Sequence, residues 1–163
     1  MNSKTEDSSS KFIIRAPKTI EEFEEYYDLR HKVLREPLGL EKGTEKARPL
    51  INELAGIHVC AFTPDESKII GAAMGFMSKD YAKVHALCVL AEYQKLGLGR
   101  VLMNALEAKM KKRGAKNVYL NSRSDTEKFY LKIGYASVHT MTREEAIKIT
   151  GMDIIFIRME KQL

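Results

Sequence analysis

Residues 93–100 read YQKLGLGR, with Gly97 and Gly99 one residue apart where the apolar run VHALCVL meets the amphipathic run VLMNALEAKMKKR. Glycines at a strand-to-helix junction leave backbone N–H groups open at a helix N-terminus, where the dipole favours negative charge. They also let oxygen-rich groups approach with no Cβ in the way. Phosphate or pyrophosphate is the ligand such a junction suits. Between positions 95 and 116, seven basic residues (Lys95, Arg100, Lys109, Lys111, Lys112, Arg113 and Lys116) face one acid, Glu107, so the net charge of +5 is concentrated behind this loop. Residues 109–113 equally suit a solvated helix C-terminus. A nucleic-acid binder would carry a broader basic face with interleaved aromatics, so no nucleic-acid partner is expected.

Spacing excludes the common nucleotide loops. A dinucleotide fingerprint needs glycine three residues after Gly99, where Leu102 stands. A P-loop needs GxxxxGK followed by Ser or Thr, which is absent, and the lysine strand and catalytic motifs of a kinase are absent too.

The elements that must position the loop can be read from periodicity. Residues 11–16 are β-type and end at Pro17, a first strand. Thr19 and Glu22 form a capping box ahead of a helix whose apolar positions Ile20, Phe23, Tyr27, Val33 and Leu34 follow a 3.6 period up to Pro37. Residues 38–52 are mixed, with a short helical or irregular piece in KARPLINEL. Residues 56–62 and 68–76 read as a hairpin, and 83–90 as the strand feeding the loop. Leu98, Val101, Leu102, Ala105, Leu106 and Met110 share one face of a helix over about 98–113, stopped by Gly114. A strand at 117–122, a short helix at 126–133 with Ser124 and Glu127 as its capping box, and strands at 135–141 and 153–161 follow. The order β-α-(α)-β-β-β-α-β-α-β-β predicts a mixed sheet with helices on both faces.

A chain of 163 residues, 44% hydrophobic and 30% charged, suits one soluble globular domain over 11–163. Residues 1–10 are polar and mixed in charge, a disordered lead-in rather than a signal peptide. No apolar run approaches the roughly 20 residues of a membrane helix, so no membrane partner is expected. Cys60 and Cys88 sit in apolar runs without CxxC or His-rich spacing. They read as buried reduced thiols in a cytoplasmic protein, and no metal site is expected.

One further pattern fits the loop. Gln94-Lys-Leu-Gly97-Leu-Gly99 matches the Q/R-x-x-G-x-G/A signature of the GNAT superfamily, and EKFYLKIGY resembles its FYxKxGF element. CVLAEYQKLGLGRVLM resembles the family's fourth strand, pyrophosphate loop and third helix, and LRHKVLREPLG is similar to a branch of small bacterial members. The resemblance is strongest over residues 84–135. It implies an α/β (α+β) GNAT fold: a central mixed, mostly antiparallel twisted sheet of about seven strands, with helices on both faces. It implies an acyltransferase that moves the acetyl group of acetyl-CoA to a primary amine by direct attack on the thioester, with no metal. The acceptor is expected to be a small-molecule amine, and a homodimer is allowed. A protein or peptide N-acetyltransferase, or a silent CoA-binding regulatory module, are the alternatives.

Site residues follow from the same resemblance. Gln94, Lys95, Leu96, Gly97, Leu98, Gly99 and Arg100 would hold the CoA pyrophosphate, largely through amides. The backbone of Leu87, Cys88 and Val89 would pair with the pantetheine arm, and an N–H of Cys88 or Val89 would polarise the thioester carbonyl. Asn121 and Arg123 are placed beside the cofactor, and Tyr130 is the acid that protonates the departing sulfur. The glutamate that many members carry early on the fourth strand is missing. Lys83 and His85 occupy that stretch, on one face with Leu87 by a period of two. His85 is the candidate base because its ordinary pKa lies near neutral. Water and His31 are alternatives, and Arg30 with His31 would border the acceptor. Glu144, Glu145 and Asp153 could meet a cationic amine or face solvent.

Overall fold

Apolar residues alternating through the middle of the chain become the centre of a seven-stranded sheet in the computed structural model, which describes residues 12–163. The expected lead-in at 1–10 lies outside the described residues. The strands are β1 (Ile13–Arg15), β2 (Ile57–Phe62), β3 (Ile69–Ser78), β4 (Tyr81–Val89), β5 (Asn117–Arg123), β6 (Ala136–Thr140) and β7 (Phe156–Gln162), in spatial order β1-β2-β3-β4-β5-β7-β6. Neighbours are antiparallel except β4 and β5, which run parallel. The helices are α1 (Ile20–Leu34), α2 (Leu50–Leu54), α3 (Leu98–Lys112), α4 (Glu127–Lys132) and α5 (Arg143–Thr150).

Opposite faces of the sheet receive different helices. Along β2 the side chain of His58 meets Tyr26 of α1 at 2.7 Å, so α1 covers that face. On the other face a Cβ at Gly71 would come within 3.0 Å of Leu102, and one at Gly75 would strike Met110. Glycine therefore lets α3 lie close on β3. Leu98, Leu102, Met103, Leu106 and Met110 of α3 are all buried, and each contributes about 1.5–3 kcal/mol of apolar transfer.

Local caps differ from expectation in three places. Thr19 caps α1 by accepting from the Glu22 N–H at 3.1 Å, but the Glu22 carboxylate does not return to Thr19. It accepts from Arg15 and from the Lys18 N–H instead. Ser124 opens a 3-10 turn, and α4 begins without a side-chain cap bond. The reciprocal capping box lies at Thr142 and Glu145, where it starts α5 in a stretch the sequence reading left unassigned.

Two irregularities shape the site. β4 pairs with β5 only over Tyr81–Lys83, opposite Asn117–Tyr119, and the two strands then part. Beyond Lys83, β4 runs on to Val89 with no β5 partner, leaving an open edge. On its other side, Met74 of β3 faces Ala86 and Gly75 faces Val84, so His85 is an extra residue with no β3 partner. Such a bulge bends the strand and re-aims its side chains.

Candidate active site

Gln94 and the glycines shape the loop before α3 begins. The Gln94 amide donates from Nε2 to the Val89 carbonyl at 3.0 Å, tying the loop to the end of β4. Lys95 (φ 66°) and Gly97 (φ 77°) both turn through the left-handed region, which glycine adopts freely and a side chain adopts at about 1–2 kcal/mol. Gly97 then caps α3 without a side chain, and the first helical bond runs from the Val101 N–H to the Gly97 carbonyl at 3.2 Å. Among the described residues, the N–H groups of Gly97, Leu98, Gly99 and Arg100 find no protein acceptor. Four donors at a helix start with no acid to cap them form an anion seat. Gly99 is small for a second reason, because a Cβ there would approach the Phe129 ring to 3.2 Å.

Two cavities open where β4 and β5 part. The first, about 430 Å³, is lined by residues 87–89, 93–95 and 97–100, with Thr126, Phe129 and Tyr130 closing it. Leu96 is exposed and outside this lining. The second, about 610 Å³, is lined by residues 83–87 and 121–123 and by parts of 34–48 and 149–152. Leu87, Thr126 and Tyr130 line both, so the cavities meet there. Thr126 and Phe129 were not singled out in sequence, although FY was the visible signal for Phe129. The Tyr130 hydroxyl makes no hydrogen bond among the described residues, and burial raises its pKa above the ordinary phenol value. It is a protonated donor facing a junction.

Cys88 lines the smaller cavity, but burial pushes its thiol up to about 12. At neutral pH it is not a thiolate, so it offers no nucleophile for an acyl-enzyme route.

His85 lines the larger cavity and is partly buried. Its Nε2–H donates to the Glu45 carbonyl at 2.8 Å, leaving Nδ1 as the lone-pair nitrogen. Burial lowers its pKa to about 4, below the near-neutral value on which the reading of a base rested. An unfolded histidine titrates near 6.5. Between these values the unfolded chain binds a proton that the folded chain does not, so stability is lost as pH falls from about 6.5 to about 4. The effect is at most about 2 kcal/mol between pH 7 and pH 5, less where solvent reaches the ring. His58, also lowered by burial, acts in the same direction. Denaturant melts at the two pH values should show the loss, and His85→Gln should reduce it.

Other expected residues lie elsewhere. Arg30 is 0% exposed and bonds Glu53, Tyr26 and the Glu45 carbonyl, so it cannot border an acceptor. The helical period placed it beside His31 but could not show that Glu53 would face it. His31 lies outside both linings and donates from Nε2 to the Leu40 carbonyl at 2.8 Å. Asn121 and Arg123, expected beside the cofactor, line the larger cavity and not the loop cavity. Among the described residues, the buried Asn121 side-chain oxygen has no hydrogen-bond donor.

An amide-lined helix start, an open strand edge and a tyrosine at their junction suit a phosphate-bearing acyl carrier. Comparison with known proteins agrees with that chemistry. Residues 45–156 match the model of the acetyltransferase (GNAT) domain. The chain is 30% identical over 102 residues to the uncharacterized N-acetyltransferase YjcF of Bacillus subtilis (strain 168), covering 63% of this chain and 73% of that protein. The PaiA N-acetyltransferase from Thermoplasma acidophilum in complex with coenzyme A superposes with a TM-score of 0.69 at 20% identity, covering 93% of this chain and 99% of that one. A GNAT family acetyltransferase from Elizabethkingia anophelis with acetyl-CoA bound gives a TM-score of 0.69 at 14% identity, over 94% and 99% of the two chains. The structural likenesses establish the fold, and the family model spans most of the sequence. The chain is therefore a member of the GNAT acetyltransferase family, a family of acyltransferase enzymes.

Proposed function

We propose that this chain transfers an acetyl group from acetyl-CoA to a small-molecule amine, with the cofactor in the loop cavity and the amine in the larger one. The observation that carries the reading is the junction of the two cavities at Leu87, Thr126 and Tyr130. A volume of about 610 Å³ fits a small acceptor. Acetyl-CoA supplies an acetyl group activated as a thioester. The amides of residues 97–100 bind its pyrophosphate, and the β4 edge at Leu87, Cys88 and Val89 positions the arm leading to the junction. A backbone N–H of Cys88 or Val89 polarises the carbonyl.

The chain must then manage two protons. The amine sheds one as its nitrogen bonds to the acyl carbon, and the thiolate released as the carbon–sulfur bond breaks takes one. Tyr130 Oη holds the second proton at the junction. Its raised pKa keeps that proton in place across neutral and alkaline pH. His85 Nδ1 accepts a hydrogen bond from the amine. With a pKa of about 4 it is a weak proton store, so the shed proton passes on to water.

Incubation with acetyl-CoA and a panel of amines tests this reading. Free thiol should rise only when an amine is present, and an acetylated product should appear in equal amount. CoA binding with no turnover on any amine would make the chain a binding module instead.

A further inference from the structure

We propose that the acceptor amine carries an anionic group, a carboxylate or a phosphoryl group, held in the larger cavity by the guanidinium groups of Arg35 and Arg123. The inference rests on the acetyl-transfer reading above and names its substrate class. Six cations line this cavity (Arg35, Lys42, Lys46, Arg48, Lys83 and Arg123), against two acids, Glu41 and Asp125. Neither acid is ion-paired with either arginine among the described residues.

Arg35 and Arg123 are the informative pair. Arg35 is only 8% exposed, yet its bonds go to carbonyls: Nε to Thr44 at 3.2 Å and Nη1 to Leu34 at 3.2 Å. Arg123 Nη2 donates to the same Leu34 carbonyl at 2.7 Å. Two positive groups thus converge on one oxygen at the C-terminus of α1, where the helix dipole helps hold them. Burial, then Arg123 and Arg30, hold the Arg35 guanidinium below its ordinary range. Glu45 is the acid that opposes this, but its carboxylate accepts from the Gly43 N–H at 2.7 Å and forms no ion pair with Arg35. A buried charge without a counter-ion is costly, and a carboxylate or phosphate matches the planar guanidinium fork.

The rest of the wall agrees. Lys83 Nζ lies over the Phe76 and Tyr119 rings, at 6.0 and 5.8 Å, and among the described residues it bonds no acid. Apart from Glu41 and Asp125, two acids that could have met a cationic acceptor are committed away from the cavity. Asp153 pairs with Arg143, and Glu145 accepts from the Thr142 N–H and meets His139. The loop amides that suit a pyrophosphate line the other cavity, so the arginines are free to serve the acceptor. Arg123 and Tyr130 line the same cavity, so one small molecule can place its anion at the first and its amine by the second.

Matched acceptors test the proposal: amino acids against their carboxamides, O-phosphoethanolamine against ethanolamine, and spermidine as a cation. The anionic member of each pair should show a kcat/KM at least about ten-fold higher, and the two kinds of pair separate carboxylate from phosphoryl recognition. Arg123→Gln should raise KM for the anionic member only, and Arg123→Lys should restore part of the preference. Lys83→Gln provides a second variant should Arg123→Gln unfold, with the same direction expected. Calorimetry on the CoA-saturated chain adds a readout independent of turnover, since an N-acetylamino acid should bind more tightly than its carboxamide. Equal rates within pairs, a preference for spermidine, or loss of CoA affinity in Arg123→Gln would overturn the proposal. If the N-acetylamino acid binds but no amine is acetylated, the transfer reading fails and the anion site stands. Acetylation without preference gives the reverse.

Discussion

Replacing Tyr130 with Phe is expected to lower kcat about 100-fold while leaving CoA affinity and the fold intact. The substitution removes one oxygen that bonds no protein group among the described residues, so little stability goes with it. The ring keeps its edge contacts with Phe129 and Tyr135, at centroid distances of 5.1 and 5.7 Å. What disappears is the hydroxyl of Tyr130, which lines both cavities. Because burial raises its pKa, the phenol stays protonated at alkaline pH, and any alkaline fall in kcat must come from another group. A loss in kcat with unchanged KM identifies an interaction made in the transition state. Unchanged kcat would take Tyr130 out of the reaction and leave it a packing residue.

Glu53→Ala is expected to cost about 3–5 kcal/mol of stability, the largest effect of any single change away from the cavities. Glu53 is 1% exposed, and both its oxygens meet the Arg30 guanidinium, at 2.8 and 2.9 Å. Burial raises the Glu53 carboxyl, and the Arg30 bonds more than offset this, leaving it below its ordinary range. Removing the carboxylate strands Arg30 as a buried charge and also frees the Ala47 N–H, which donates to Glu53 at 2.8 Å. The change should reach the acceptor cavity. Arg30 Nη2 holds the Glu45 carbonyl at 2.6 Å, and that oxygen also receives the His85 Nε2–H. A raised KM for the amine should therefore accompany the lower denaturation midpoint. Arg30→Met combined with Glu53→Leu should recover much of the stability, because no unpaired charge remains. Equal losses in the single and double variants would show that packing, not charge, dominates there.

The network around Arg30 also shows what the sequence could not reveal. Helical period and apolar alternation are local, so α1, α3 and the strands could be read from letters alone. The anion-seeking loop could be read for the same reason, since two glycines and Gln94 lie within six residues. Facts that depend on distant partners were hidden. Arg30 is silenced by Glu53, 23 residues away. His85 loses its near-neutral pKa through burial, with its Nε2 fixed on a carbonyl 40 residues back. Arg123 is drawn to Leu34, 89 residues earlier, and so to the acceptor side. α5 escaped notice for a different reason: Ala146 is its only buried residue, so it carries no apolar stripe, and Thr142 with Glu145 was the signal to read. Alternation along β4 was a sound guide despite the bulge at His85: Lys83, His85 and Leu87 are half-buried between fully buried neighbours, and all three line the larger cavity.

A crystal structure of the chain with CoA tests the central claim most directly. The account expects the pyrophosphate on the amides of residues 97–100, and the sulfur at the cavity junction within about 3.5 Å of Tyr130 Oη. A pyrophosphate bound elsewhere, or a thiol directed away from Tyr130, would contradict it.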